Sequence, residues 1–485
     1  FGSASANPGS IVFGAESEVI DSLLIDASTA SVTTFSRVVA PGNIQVFAND
    51  VTFDNQSDIL AQINVSQGLS TGPGINIKAT SSVSVLNGSE VSTSLLGGQN
   101  APGDIFISSP SIEIKNTQVG LAERARITSL VTSEADTYTG QIDLVGDVSI
   151  LDSGLVATTI DGFAINGGIN INKDLTEGTL TLGRTSDSYL QGEINSVNNG
   201  FVIGTESSPV LPIDIGGANI TISDGLINAT ATSSGEAAPI ALNATASITI
   251  ENGSLLSTEA QSQAIASNIT IGAPAISIEG AVIRADSSST GSAAGSRTTT
   301  IDILANSSLN ITSSDVIAST SGSAEAGTIN IQNVGGIGGV ELANSQVRSK
   351  AEATSTNNAG VITINASRDI RLLAGTSIET STEGTGEAGS ITIEGAYVIG
   401  AGVDIESQSL GENSGKAGSV VVRGETVAFG GGSSLSTASA SDLVTPSAGI
   451  TLDATAGALT LDDTEVEGST TGNTNAGDIR LYGQS

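Results

Sequence analysis

The chain of 485 residues is longer than one compact core usually serves, so it holds either several domains or one array growing in a single direction. It has no Cys, His, Met or Trp, which excludes disulfides, Ser-His-Asp triads, thiolate nucleophiles and His-based metal sites. A net charge of −34 opposes nucleic acid as a partner, because phosphate binding needs basic patches.

Taken in chain order, alternating apolar triplets recur. They begin at Ile11, Ile44, Ile75, Ile105 and Ile142, and resume at Ile240, Ile269, Ile301, Ile329, Ile362, Ile391, Val420, Ile450 and Ile479. Seven steps carry Ile269 to Ile479, a mean of 30 residues each. Between Ile142 and Ile240 the spacing suits three repeats with small insertions. Ile169 with Ile171 is one starting point there, and Ile203 or Ile213 another. A repeat of this length is the signature of a solenoid.

Each repeat divides into three short strands. From Ala359, Ile362-Thr363-Ile364 comes first, then Ile370-Arg371-Leu372, then Ser377-Ile378-Glu379-Thr380-Ser381, and a polar loop leads to the next Ala-Gly. Period-two alternation puts Ile, Val and Leu on one face and Ser, Thr, Asn or charge on the other. No stretch carries apolar residues at i, i+3, i+4 and i+7, and the Gly and β-branched content opposes helix. The expected fold is therefore all-β: one right-handed parallel β-helix, a triangular solenoid of about 16 coils spanning 1–485.

Most of the triplets follow a small residue and Gly. Examples are Pro41-Gly42, Ala326-Gly327, Ala388-Gly389, Ala417-Gly418 and Ala476-Gly477. The Gly is expected to turn the corner with φ > 0, and the small residue to let coils stack closely. Asn87-Gly88, Asn166-Gly167 and Asn252-Gly253 mark further tight turns.

The order Ala-Gly, Ile-Thr-Ile, middle strand, Ser-x-Ile-x-Thr and Gly-rich polar loop resembles filamentous-haemagglutinin-type exoproteins. It is most similar to cyanobacterial members with repeats near 30 residues. Ala326 to Leu481 matches best, and weaker copies reach the N-terminus. The resemblance implies a secreted β-helix used for adhesion or surface structure. The family's secretion domain carries an Asn-Pro-Asn-Gly-type signature, from which Asn7-Pro8-Gly9-Ser10-Ile11 departs.

Residue 1 is not Met, so either a signal segment has been removed or the chain belongs to a longer polypeptide. No apolar run reaches the roughly 18 residues of a membrane-spanning helix. Phe1 to Ala6 resembles the end of a third strand, and Ile479-Arg480-Leu481 is a first strand. The chain is then either a segment of a longer exoprotein or a subunit that stacks head to tail. The partners expected are the protein itself and other surface or matrix components, glycans among them.

Two kinds of chemistry stay open to carboxylates. Paired acids cleave glycosidic bonds, and Asp462, Asp463, Glu465 and Glu467 form the densest acidic group, with Asp143 and Asp147 another pair. Sugar-cleaving grooves usually offer aromatic platforms, and this chain has no Trp and four Tyr, so no enzymatic activity is expected. Oxygen ligands also suit structural calcium. Glu383 with Glu387, and Glu412 with Asn413, are the candidate donors, although the Gly-Gly-x-Gly-x-Asp calcium repeat is absent.

Overall fold

The computed structural model describes residues 10–34, 42–64, 74–97, 103–132, 134–138, 140–161, 163–165, 167–199, 210–288, 299–336, 338–442, 448–472 and 475–484. Phe1 to Ala6, Asn7, Pro8, Gly9, Pro41, Asn166 and Ile203 lie outside them. The described residues hold strands and turns and no helix, so no helix is long and apolar enough to cross a membrane. The chain divides into two compact units, Phe1–Thr245 and Ala246–Ser485.

Both units are parallel β-solenoids. Alternation places every second side chain inside, and each strand bonds to its equivalent one repeat away. In the first unit Ile11, Ile44, Ile75, Ile105, Ile142, Ile169 and Ile213 stand in register as one column. In the second unit the column runs Ile269, Ile301, Ile329, Ile362, Ile391, Val420, Ile450 and Ile479. The predicted triplet starts are the inner positions of these sheets. Burying each such side chain contributes about 1.5–3 kcal/mol. One coil buries only a few of them against the entropy of ordering about 30 residues, so a coil holds its shape only between neighbours.

The third strands form the second wall. In the first unit they are Thr29–Thr34, Asp58–Asn64, Glu90–Gly97, Arg126–Val131, Leu155–Ile160, Glu193–Asn198 and Leu226–Ala231. In the second they run from Leu255–Ala260 to Thr464–Thr470. Among the described residues there are slightly fewer complete turns than the 16 expected.

The expected three strands per coil appear in two forms. In most coils of the first unit, the first and second strands run together as one bent strand, such as Ile75–Leu86 or Ile105–Lys115. Alternation there breaks at the corner, and the register shifts between Lys78 and Ser82. From Thr328 onward the two are separate, as in Ile362–Ala366 with Asp369–Leu372 and Ile391–Glu394 with Tyr397–Ala401.

The role expected for the motif glycines needs correction. Gly327, Gly360, Gly389, Gly418 and Gly477 do not have φ in the left-handed region. They are glycine because coils meet there backbone to backbone. A Cβ on Gly389 would run into the carbonyl oxygen of Gly360, and one on Gly418 into that of Gly389. The small residues before them, Ala326, Ala388 and Ala417, are buried as expected. Left-handed turns do occur at Asn87-Gly88 and Asn252-Gly253, where both residues have φ > 0.

Buried hydroxyls hold these corners. Ser349, Thr380 and Ser407 stand in register at an inner position of the third strands. The Ser407 hydroxyl donates to the Gly389 carbonyl at 2.9 Å and accepts from the Gly418 amide at 2.8 Å. Ser349 likewise donates to the Gly327 carbonyl and accepts from the Gly360 amide. A small side chain leaves room for the corner backbone, and its hydroxyl satisfies polar groups that the core would otherwise strand.

Candidate functional site

One coil of the first unit departs from the plain pattern. Its strands are Ile169–Ile171, Thr179–Gly183 and Glu193–Asn198. Ile169 and Ile213 are thus the starts in the unclear stretch, and the extra residues gather between them. The core does not register the insertions. Ile142–Leu151 pairs with both Ile169–Ile171 and Thr179–Gly183, and Ile213–Ser223 pairs with the same two strands. The intervening residues have to leave outward, at 172–178 and 184–192.

Asn172 anchors the first insertion. It is buried with φ > 0, and its amide side chain bridges the Gly146 backbone, donating to the carbonyl at 2.7 Å and accepting from the amide at 2.8 Å. Lys173 faces Asp214 at 3.5 Å, and the Thr245 hydroxyl donates to the Thr176 carbonyl at 3.1 Å. The loop closes one side of a cleft of about 450 Å³. Pro110 and Leu175 supply apolar walls, Asp147, Thr176 and Glu177 supply polar groups, and Gly146 and Gly178 contribute backbone.

The second insertion is clasped more tightly. The Tyr189 hydroxyl donates to the Thr117 carbonyl at 3.2 Å, reaching past the coil between them. Arg124 pairs with Glu193 at 2.5 Å and donates to the carbonyls of Ser153, Gly154 and Gln191. Arg184 pairs with Asp224 and Asp187. These contacts leave a smaller cleft of about 220 Å³ between the second insertion and the segment 116–124, and its Arg124 cation is already neutralised.

The carboxylates singled out in the sequence have separate surroundings. Asp143 accepts from Gln141 and Asn170, each at 2.7 Å. Asp147 lies beyond the Gly146 corner, accepts from Thr179 at 3.0 Å and lines the larger cleft. Asp462 and Asp463 belong to a turn in which the Asp462 amide donates to the Phe429 carbonyl and Asp463 has φ > 0. Glu465 and Glu467 point to solvent from the strand that follows, in register with Ser434 and Ser436.

Lysines face both acids of one expected calcium set. Lys350 lies 3.0 Å from Glu383 and 3.2 Å from Glu352, and Lys416 lies 4.0 Å from Glu387. Burial alone would lower the Lys350 ammonium, but the hydrogen bonds and charges of Glu383 and Glu352 outweigh it and raise its pKa. The Glu412 carbonyl accepts from the Asp442 amide. Among the described residues no group of three or more acidic side chains is arranged to hold a metal ion.

Asp286 and Glu406, on the outer face of the third-strand sheet, are shifted upward. Asp286 is raised mainly by burial, against the Ser319 hydrogen bond and the Arg284 charge. Glu406 is raised by burial and then by the neighbouring charges of Asp404 and Glu379, with Gln408 opposing.

The cleft at 172–178 was not read from the sequence. Its signal was there in the 44-residue step from Ile169 to Ile213 and in Asn172-Lys173-Asp174-Leu175-Thr176-Glu177-Gly178, which lacks alternation. No family model matches this chain, and no curated protein or solved structure matches it either.

Proposed function

We propose that the protein is an extracellular structural or adhesive β-solenoid whose coils continue from one molecule to the next, and that it is not an enzyme. One observation carries the scaffold role. From Ile269 to Ile450 the equivalent residues of successive coils pair in parallel register with their aliphatic side chains fully buried, so each coil is completed by the coil on either side of it, and a coil surface of this kind accepts a further parallel strand. The plain coils support the scaffold role, since each adds core and corner and little else. The resemblance to filamentous-haemagglutinin-type exoproteins supports an extracellular setting and surface or matrix components as partners.

Sedimentation velocity with electron microscopy tests the assembly. The chain is expected to form filaments as its concentration rises. A chain that stays monodisperse at every concentration would overturn end-to-end assembly.

A further inference from the structure

We propose that the cleft at 172–178 binds a neutral oligosaccharide. This deepens the adhesive part of the function proposed above and rests on it.

The argument begins with the size and stiffness of the cleft. Its volume of about 450 Å³ falls in the range of small-molecule sites, about 300–1,000 Å³. Both ends of the loop are fixed before any ligand arrives. Asn172 is bonded twice to Gly146, and Gly178 is packed so that a Cβ there would lie 2.9 Å from the Gly146 carbonyl oxygen. A site ordered in advance loses little entropy on binding.

Its lining then selects among ligand classes. Asp147 and Glu177 are acidic, and the one cation on the loop, Lys173, is turned to Asp214. An anion would meet only repulsion. A metal ion would lack ligands, because among the described residues no group of three or more acidic side chains is placed to hold one. A purely apolar ligand would leave the Glu177 carboxylate and the Thr176 hydroxyl without partners. A neutral sugar offers what remains. Its hydroxyls donate to carboxylate oxygens, and its apolar ring face covers aliphatic groups. Leu175 is 41% exposed beside Pro110, an aliphatic surface of that kind. Glu177 has no hydrogen-bond or ion-pair partner among the described residues, so its acceptor capacity is free.

The test uses the full chain and neutral oligomers of glucose, galactose and mannose, with oligogalacturonate as the acidic comparison. Binding is read by glycan array and then by titration calorimetry. At least one neutral oligomer is expected to bind and oligogalacturonate to bind more weakly. Leu175→Ala and Glu177→Gln should each weaken binding about tenfold, while Asp462→Asn changes nothing. Replacing Lys173–Glu177 by two glycines should abolish binding with the circular dichroism spectrum preserved. The proposal fails if no neutral oligomer binds, if the acidic one binds more tightly, or if the loop variants bind like the parent. Filament formation is scored separately, so failure of the cleft leaves the assembly reading standing and the reverse also holds.

Discussion

The coil Ile391 to Ser409 in the second unit and the coil Ile169 to Asn198 in the first share an interior and differ in their corners. In the former, Ile391, Ile393, Val398 and Ile405 are buried, and short links at 395–396 and 402–403 join the strands. In the latter, Ile169, Ile171, Leu180, Leu182 and Ile194 are buried just as completely, but the links run over 172–178 and 184–192. The interior tolerates this because its hydrogen bonds go to the coils on either side, not along the chain. A longer link costs only loop entropy, which grows slowly with length. Corners where backbones of successive coils touch have no such freedom.

The largest effect should come from placing a side chain at a touching corner. Gly389→Val would drive its Cβ into the Gly360 carbonyl and cost about 3 kcal/mol. Replacing Lys173–Glu177 by two glycines should cost less than about 1 kcal/mol. Urea melts of both variants make the comparison, and equal losses would break it. Cooperativity in a repeat array is partial, so midpoints in the affected unit are the quantity to compare.

A smaller loss is expected at the hydroxyl column. Ser407→Ala strands the Gly418 amide and removes a partner from the Gly389 carbonyl, at a cost of about 2 kcal/mol. Ser407→Thr keeps the hydroxyl and should recover part of the loss. An unchanged melt for Ser407→Ala would show that these corners are held by packing alone.

The smallest effect separates the outer faces from the interior. Glu406 has a raised pKa in the folded chain, so the native state holds its proton more tightly than the unfolded one. Its ionised form therefore subtracts from stability at neutral pH, and the penalty is relieved as pH falls through the folded value toward the ordinary carboxylate value of about 4.3. Glu406→Gln should melt slightly higher at pH 7, by less than about 1 kcal/mol because solvent screens the site. The gain should vanish below about pH 4. A gain that persists at low pH would point to packing instead of charge.

The alternation of Ile, Val and Leu with polar residues determined most of the fold from the sequence alone. From Ile269 to Ile479 each predicted start is an inner position stacked on the next, because period two on a parallel ladder leaves one way to bury the aliphatic face. Neighbours decided the remainder. Which start follows Ile169, why the motif glycines are glycine, which lysines face Glu383 and Glu387, and where a cleft opens all depend on what lies one coil away. That position is about thirty residues distant in the chain and about 4.8 Å distant in space. Local pattern reports what a residue prefers, and only the stacked coils show what it touches.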